Sequence, residues 1–403
     1  MHYEFDFKEY KASEGRYAIH EYPAMFHYKV VNKLIQDYSS PDNTIYDPFC
    51  GSGVAIVEGL KLGRYPIGTD INPIALLITD VRSSNINVDN ADQYLQNLKT
   101  RWETLEPDVP NIPNIKYWFK EYVINDLGKL RQFIKTIKDD KLFKFFLVVL
   151  SQTVRQVSNN KKGEFKRYRL NEEKLKHFHP NSLNTFLNNA YKYLTIIKQE
   201  PLPSNHYSLF LHDIRKEISI SNVDLVITSP PYGDSKTTVA YGQFSIFSVE
   251  WLRGLNPYGD TNVKLDTLCL GGQRTKERIL LPSHTLHAIL NQINTVDHKR
   301  SLEVYSFFYD YYLSIKNISQ TLNNNATVCF IVGNRTVRGV NIRMDLITAE
   351  FFESCGLRLE NIFVRNIFNK RMPYKNSPSN KVGQTSNTMQ HEYIVIMKKS
   401  LQR

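Results

Sequence analysis

The fold class is set by the stretch Thr44-Ile45-Tyr46-Asp47-Pro48-Phe49-Cys50-Gly51-Ser52-Gly53. A short strand-like run ends in a glycine turn, and an apolar, helix-like run over residues 54–62 follows it. Glycines let the backbone approach a ligand closely, and the start of the helix offers unpaired N–H groups. The order strand, glycine turn, helix is typical of the first unit of a parallel α/β sheet that binds a nucleotide.

A second acidic residue follows the next strand-like run. Pro66-Ile67-Gly68-Thr69 leads directly to Asp70, whose carboxylate can accept hydrogen bonds from both hydroxyls of a ribose. A nicotinamide or flavin enzyme is a competing interpretation, because many nucleotide sites combine Gly-x-Gly with a downstream acid. This chain lacks the third glycine of the dinucleotide motif, since Ile56 occupies that position.

A third motif, Ser229-Pro230-Pro231-Tyr232, ends the apolar run over residues 223–228. The Ser229 hydroxyl and the Pro230 carbonyl can accept both protons of an amino group on a nucleic-acid base. The two prolines stiffen the turn, and the Tyr232 ring can stack on the base. A Pro-Pro-Tyr turn alone is also common in ordinary loops. Together with the glycine turn, it indicates methylation of a base amino group.

These motifs resemble those of the DNA amino-methyltransferases that use S-adenosylmethionine. In that family, an Asp-Pro-Phe-x-Gly-Ser-Gly turn holds the methionine end of the cofactor, and an acid after the next strand holds the ribose. The resemblance implies that the following residues bind the cofactor: Asp47, Pro48, Phe49, Gly51, Ser52, Gly53, Asp70, Ile71 and Asn72.

Two further segments carry the resemblance. Tyr22, Pro23, Ala24 and Phe26 match the segment that closes over the methionine moiety, and Asp213 matches the acid that accepts from the adenine amino group of the cofactor. Val54 departs from the pattern, because many relatives have a hydroxyl residue there, and we expect one contact to the cofactor to be missing.

The residue at position 229 bears on the target base. Ser229 resembles the cytosine-N4 branch, whereas adenine-modifying relatives more often carry Asp or Asn there. The resemblance implies an enzyme that flips a cytosine out of duplex DNA and methylates its N4 at a specific site, within a restriction–modification system. Three alternatives stay open: an adenine-N6 enzyme with the same site, an RNA methyltransferase, and a DNA-binding protein without catalysis.

The implied fold is a seven-stranded, mostly parallel, doubly wound Rossmann-like sheet with a mainly helical insertion. Residues 1–85 and 206–403 are expected to form the catalytic domain. Residues 86–205, in which apolar residues recur at helical spacing, are expected to form the insertion and a candidate target-recognition region. Residues 233–294 are expected to be a loop-rich segment and a second candidate for DNA recognition.

The charge of the chain favours a polyanionic partner. Its 403 residues carry a formal net charge of +11, which suits duplex DNA. Basic and aromatic residues in polar loops provide the expected DNA contacts: Lys166, Arg167, Arg169, Lys236, Tyr241, Arg274, Arg335, Arg338, Lys370 and Arg371.

Other features of the composition are less specific. The four cysteines are scattered without metal-ligand spacing, so no metal is expected and the thiols are expected to be reduced. No apolar run approaches the length of a membrane span, and the N-terminus does not resemble a signal peptide. We therefore expect a cytoplasmic protein that associates with the nucleoid through DNA. The family resemblance also implies a cognate restriction endonuclease that acts separately as a partner.

Overall fold

The computed structural model describes residues 4–163, 166–203, 206–232, 240–260, 264–276, 279–367, 375–376, 386–387 and 390–400. Within this part of the chain, the strands are β1 Thr44–Asp47, β2 Tyr65–Asp70, β3 Ser208–Leu211, β4 Val223–Thr228, β5 Leu322–Val332, β6 Arg335–Val337, β7 Val340–Ile342, β8 Leu357–Asn366, β9 Lys375–Asn376, β10 Ser386–Asn387 and β11 His391–Lys399.

The described strands include a seven-stranded sheet with the order β3-β2-β1-β4-β5-β11-β8. The first five strands of this order pair in parallel, whereas β11 runs antiparallel to both β5 and β8. β6 and β7 form a separate hairpin, as do β9 and β10. The arrangement confirms the predicted seven-stranded, mostly parallel fold.

Helices cover both faces of the sheet, as parallel strands require. The α-helices of the described residues are α1 Tyr28–Tyr38, α2 Val54–Lys61, α3 Pro73–Ser83, α4 Val88–Arg101, α5 Ile115–Trp118, α6 Glu121–Lys135, α7 Asp140–Val157, α8 Glu172–His177, α9 Ser182–Gln199, α10 Tyr241–Trp251, α11 Leu265–Leu268, α12 His284–Val296, α13 His298–Thr321 and α14 Met344–Ser354. Gly15–Ala18 and Trp102–Thr104 form short 3-10 helices.

The strand order places a switch point between β1 and β4. From β1 the chain proceeds outward through β2 and β3, and it then returns to the other side of β1 as β4. Helices that leave neighbouring strands in opposite directions open a crevice at the carboxyl ends of those strands. The glycine turn after β1 and the Ser-Pro-Pro-Tyr turn after β4 therefore meet at one edge of the sheet.

The insertion is helical, as predicted, and comprises α4 to α9. Its apolar faces share one hydrophobic core with residues of α3, such as Leu77 and Val81, and of α10, such as Phe247 and Trp251. The boundaries of the domains stay a prediction, because this shared core joins the insertion to elements on both sides of it in the sequence.

Residues 233–294 are more helical than the sequence suggested. Their described part contains α10, α11 and most of α12. Nine of the eleven residues of α10 are buried, namely Gly242 and the run from Phe244 through Trp251, so the helix has little polar surface to mark it. A helix buried on all sides lacks the amphipathic period by which helices are found in a sequence, which is why this segment was expected to be loop-rich.

In the described part of the chain, no helix has both the length and the apolar character that a membrane crossing requires.

Candidate active site

A cleft lies at the carboxyl edge of the sheet. Four neighbouring strands contribute to it, because Asp47 ends β1, Asp70 ends β2, Asp213 follows β3 and Ser229 follows β4. The predicted residues that line it are Tyr22, Pro23, Ala24, Phe26, Asp47, Pro48, Phe49, Gly51, Ser52, Asp70, Ile71, Asn72, Asp213, Ser229, Pro231 and Tyr241.

Asp47 joins the two central strands at the cleft. Its carboxylate accepts a hydrogen bond from the Thr228 hydroxyl at 2.6 Å and another from the Phe49 N–H at 3.1 Å. Burial raises the pKa of the Asp47 carboxyl to about 7, although both hydrogen bonds oppose the shift. The group can therefore change its charge near neutral pH.

Asp70 ties the glycine turn to the end of β2. It accepts from the Gly51 N–H at 2.9 Å and from the Asn72 N–H at 2.8 Å. Burial raises the pKa of the Asp70 carboxyl to about 6, against the effect of these backbone hydrogen bonds. Asn72 in turn caps α3, because its side chain accepts from the Ile74 N–H at 3.1 Å.

The glycine turn packs closely against α3 and the N-terminal segment. Gly53 has a φ of +82°, and a Cβ added to it would lie 2.4 Å from Thr79 Cγ2. The Thr79 hydroxyl donates to the Gly51 carbonyl at 2.9 Å. A Cβ on Gly51 would lie 3.4 Å from the Tyr22 ring. Gly51 therefore lies close to the Tyr22 ring in the lining of the cleft, whereas Gly53 faces α3 and does not line the cleft.

Residues 19–26, which we call the clasp, contribute Tyr22, Pro23, Ala24, Met25 and Phe26 to the lining of the cleft. The insertion holds this segment, because His20 Nε2 lies 2.7 Å from the Ser151 hydroxyl and the Glu21 N–H donates to Gln152 Oε1 at 2.9 Å. Burial lowers the pKa of His20 to about 3, so its ring is neutral. Tyr22 stacks on Tyr241, with ring centroids 6.0 Å apart.

Arg82 connects the clasp to the glycine turn, and sequence reasoning missed it. Its fully buried guanidinium donates to the carbonyls of Ile19 at 2.9 Å, His20 at 2.8 Å and Ser52 at 3.0 Å. Burial lowers its pKa to about 10, so it remains charged at neutral pH. An arginine at the end of an apolar helix carries no motif, and only the packing shows its partners.

The turn after β4 places its residues differently. Ser229 and Pro231 line the cleft, whereas Pro230 and Tyr232 are not among the lining residues. The Tyr232 hydroxyl lies 2.8 Å from Ser229 Oγ and 3.2 Å from Glu392 Oε1. Stacking of the Tyr232 ring on a base stays a prediction. Glu392, far away in the sequence, was not predicted to reach this turn.

Asp213 forms an ion pair at the far end of the cleft. Arg215 Nη2 lies 2.7 Å from Asp213 Oδ2, and Arg215 Nη1 lies 2.9 Å from Asp310. Although burial acts in the opposite direction, the hydrogen bonds and charge of Arg215 lower the pKa of Asp213. Asp213 is therefore an ionised acceptor at neutral pH.

The outer wall of the cleft comes from a segment without a sequence motif. Leu265, Leu268, Cys269 and Leu270 line it. The neighbouring Asp266 holds this segment against α10, because its carboxylate accepts from the N–H groups of residues 242 and 243 at 2.7 and 3.1 Å. Ordinary apolar residues give no signal from which this role could be found.

The residues predicted to contact DNA are distributed over several elements. Tyr241 lies in the cleft itself. Arg167 lies over the Trp118 ring, with the guanidinium carbon 5.2 Å from its centroid, and Arg169 lies over the Tyr117 ring at 4.6 Å. Lys166 is exposed in the same loop.

The remaining predicted DNA contacts lie near the late helices and the β6–β7 hairpin. Arg274 pairs with Glu303 at 3.0 Å, and Arg338 at the tip of the hairpin pairs with Asp297 at 2.7 Å. Arg335 begins β6. Lys236, Lys370 and Arg371 lie outside the described residues.

Two of the solved structures that resemble this chain illustrate a distant similarity. TrmN from Thermus thermophilus aligns over 93% of this chain at a TM-score of 0.32 and 8% identity, and this chain spans 49% of TrmN. The rRNA methyltransferase aviRa from Streptomyces viridochromogenes aligns over 94% of this chain and 88% of its own, at a TM-score of 0.32 and 11% identity. At these values neither structure bears on substrate or mechanism.

Sequence comparison is more informative. The family model described as DNA methylase matches residues 4–79, which include the clasp, the glycine turn and Asp70. The type II methyltransferase M.MvaI from Kocuria varians is 35% identical over 409 residues, covering 94% of this chain and 90% of that protein. The type II methyltransferase M.MjaII from Methanocaldococcus jannaschii is 23% identical over 32% of this chain and 19% of its own length. With one relative matching across nearly its whole length, this chain belongs to the DNA methylase family of S-adenosylmethionine-dependent methyltransferases.

Proposed function

We propose that the protein methylates the N4 amino group of cytosine at a specific site in duplex DNA after flipping the base out of the stack. The observation that carries this proposal is the position of Ser229, which lines the same cleft as Asp47 and Asp70 at the switch point of the sheet. An acceptor for an amino group and a site for the cofactor therefore share one cavity, as direct methyl transfer requires.

The cleft fits S-adenosylmethionine, which supplies a methyl group already activated on a sulfonium. Asp47, the glycine turn and the clasp would hold its methionine end, and Asp70 would accept from the ribose hydroxyls. Asp213 would accept from the adenine amino group, since Arg215 keeps this carboxylate ionised. Three acids at three adjacent strand ends give the cofactor one orientation along the edge of the sheet.

The turn after β4 would bind the target base. Ser229 Oγ and the Pro230 carbonyl would accept the two amino protons, which directs the nitrogen lone pair towards the methyl group. Because two consecutive prolines restrict the turn, little conformational entropy is lost when the base enters. The acceleration then comes mainly from positioning, and no covalent nucleophile is needed.

Basic loops around the cleft would bind the DNA backbone. Lys166, Arg167 and Arg169 lie in the loop between α7 and α8, and the β6–β7 hairpin presents Arg335 and Arg338 beside the carboxyl end of β5. Basic side chains beside a flipped nucleotide can bind its flanking phosphates. Similarity to type II methyltransferases also favours a cognate endonuclease that acts as a separate protein.

The identity of the methylated base tests the proposal. The protein is incubated with methyl-labelled S-adenosylmethionine and mixed-sequence duplex DNA, and the DNA is digested to nucleosides for mass spectrometry. N4-methylcytosine is the expected product. N6-methyladenine would retain the site but overturn the cytosine assignment, and label in structured RNA but not in duplex DNA would overturn the substrate class.

Two variants separate the roles of the cleft residues. Ser229→Ala should lose turnover while keeping cofactor affinity, and Asp70→Ala should lose cofactor affinity first. Glu360→Gln, an exposed change on β8, serves as the control for both. Unchanged cofactor binding by Asp70→Ala would remove the ribose assignment.

A further inference from the structure

The geometry points to Glu392 and Arg365 as positioning residues that orient the Ser229 hydroxyl toward the target amino group. This inference rests on the proposed function, because it concerns how Ser229 accepts an amino proton. The two residues lie on the antiparallel strands β11 and β8, outside the motifs of the nucleotide-binding half of the sheet.

The sheet brings both residues to the active edge. Because β11 runs antiparallel to β5, its first residues lie beside the carboxyl end of β5, with Tyr393 opposite Val332. Glu392 and Arg365 are direct partners in the pairing of β11 with β8. Cross-strand neighbours of opposite charge on one face can form an ion pair, and Arg365 Nη1 lies 2.9 Å from Glu392 Oε2.

The other carboxylate oxygen of Glu392 faces the catalytic turn. Glu392 Oε1 lies 3.2 Å from the Tyr232 hydroxyl, which lies 2.8 Å from Ser229 Oγ. The Arg365 and Glu392 side chains are only 7% and 18% exposed. Arg365, Glu392, Tyr232 and Ser229 are therefore linked by successive polar contacts, which run from the interior of the antiparallel strands to the wall of the cleft.

The chemistry of an ionised carboxylate sets the direction of the hydrogen bonds between Glu392, Tyr232 and Ser229. A carboxylate only accepts hydrogen bonds, so Tyr232 must donate its single hydroxyl proton to Glu392. The Tyr232 oxygen can then only accept from Ser229, which donates its own proton to it. The lone pairs of Ser229 Oγ are left facing the cleft, where they can accept an amino proton.

Arg365 stabilises the charge on which this direction depends. Its guanidinium pairs with the Glu392 carboxylate across the two strands, and the planar guanidinium suits such a pair. Burial is the main cause that raises the pKa of the Tyr232 hydroxyl, and the Glu392 charge raises it further. Tyr232 therefore stays a neutral donor. The hydroxyl protons are therefore directed away from the base before it arrives.

Glu392→Gln should reverse this direction while preserving the shape of the side chain. Since Arg365 can only donate, the amide oxygen would face Arg365 and the amide NH₂ would face Tyr232. Tyr232 would then donate to Ser229, which would free the Ser229 proton to point into the cleft and leave only one lone pair of its oxygen to accept from the amino group. We expect kcat to fall about 10- to 100-fold, with unchanged affinity for S-adenosylmethionine.

A double-mutant cycle with Tyr232→Phe provides the test. Tyr232→Phe alone should also lower kcat, because Ser229 loses its acceptor while the Glu392–Arg365 pair remains. In the Tyr232→Phe background, Glu392→Gln should change kcat by less than about twofold, since no hydroxyl is left to orient. A residue that only stabilises the fold would show the same effect in both backgrounds.

Single-turnover rates, cofactor binding and thermal unfolding are measured for all four proteins, with Glu360→Gln as the matched control. Multiplicative effects of the two changes, or full activity of Glu392→Gln beside an inactive Ser229→Ala, would overturn the inference. If Ser229→Ala itself keeps full activity, the proposed function of the turn fails instead. Because Tyr232→Phe leaves the ion pair between Glu392 and Arg365 intact, this variant tests the hydrogen bonds to Ser229 even if Glu392→Gln does not fold.

Discussion

At the scale of single residues, the cleft concentrates carboxylates that burial makes costly to ionise. Asp47 and Asp70 lie at the ends of adjacent strands, and burial raises the pKa values of the two carboxyls to about 7 and about 6. Hydrogen bonds from Thr228 and from backbone N–H groups only partly offset this cost. A cationic ligand can offset the rest, because it favours the charged form of a nearby acid.

Cofactor binding should therefore tighten as the pH rises. Below the pKa of Asp47 a proton must leave before the carboxylate can hold the positively charged methionine end, so the Kd should fall up to about tenfold per pH unit. The Kd should level off above about pH 7. Isothermal titration between pH 5 and 8 measures this, and Asp47→Asn should show weak binding with a flatter profile. A parent Kd that does not change with pH would contradict the assignment.

A comparison of two glycines with positive φ, Gly53 and Gly63, distinguishes the cost of backbone strain from the cost of steric conflict. Gly53 has a φ of +82° and Gly63 a φ of +73°, but only Gly53 would bring a Cβ against Thr79, at 2.4 Å. Gly63→Ala should cost about 1–2 kcal/mol through its φ alone. Gly53→Ala should cost more, and it should also weaken cofactor binding because Thr79 holds the Gly51 carbonyl.

Chemical denaturation and cofactor titration of both glycine variants check this expectation. Equal loss of stability in the two variants would show that the contact with Thr79 contributes nothing.

At the scale of elements, α10 couples the cleft to the helical insertion. The ring centroids of Phe244 and Tyr22 lie 5.8 Å apart, and the Arg155 guanidinium lies 3.7 Å from the centre of the Phe244 ring. One turn further on, Phe247 packs against the rings of Trp118 and Phe119 at 5.3 and 5.4 Å. The helix therefore touches the clasp at its start and the core of the insertion along its length.

Truncation of Phe247 should destabilise the protein as a core cavity does. The side chain is 1% exposed, and Phe→Ala changes in well-packed cores cost about 3–5 kcal/mol. Gln243→Ala, on the same helix but only half-buried, should cost far less. Urea unfolding of both variants measures the difference. Similar midpoints for the two would show that α10 is not packed against the insertion.

At the scale of the whole molecule, the sheet assembles one edge from distant parts of the chain. Asp47, Asp70, Asp213, Ser229 and Glu392 each lie at the start or end of a different strand, and the mixed strand directions bring all five positions to the same side. The chain carries a net charge of +11, whereas three acidic side chains, Asp47, Asp70 and Asp213, line the cleft itself. The overall positive charge favours a polyanionic partner, and the acidic side chains in the cleft favour a cationic cofactor.

DNA affinity should accordingly fall with salt, and the loop between α7 and α8 should contribute to that dependence. Each phosphate neutralised on duplex DNA contributes about 0.9 to the slope of log K against log salt. Lys166→Gln should reduce the slope by about that amount. Arg358→Gln removes the same charge from an exposed site on β8, distant from the active edge, and should leave it unchanged. Binding titrations over a salt series measure the two slopes, and equal slopes for Lys166→Gln and Arg358→Gln would exclude this loop from the DNA interface.

Much of this protein could be predicted from local patterns. The glycine turn and the acid after β2 need only their immediate neighbours, since a turn geometry and a strand end are properties of a few adjacent residues. The strand-like runs before the glycine turn, before Asp70 and before Ser229 correspond to β1, β2 and β4 for the same reason, because β-branched and apolar runs indicate strands wherever they lie. The helical insertion was found because its helices are amphipathic.

Other features depended on the tertiary structure. Helix α10 was missed because a helix buried on all sides has no polar face to reveal its period. Arg82, Glu392 and the wall from Leu265 to Leu270 act through contacts that join residues far apart in the sequence, and no local pattern encodes those contacts. The sequence by itself determined the chemistry of the turns and the class of the sheet. The packing of the sheet and its helices decided which distant side chains hold those turns in place, because burial and hydrogen-bond direction are set only once the strands have paired.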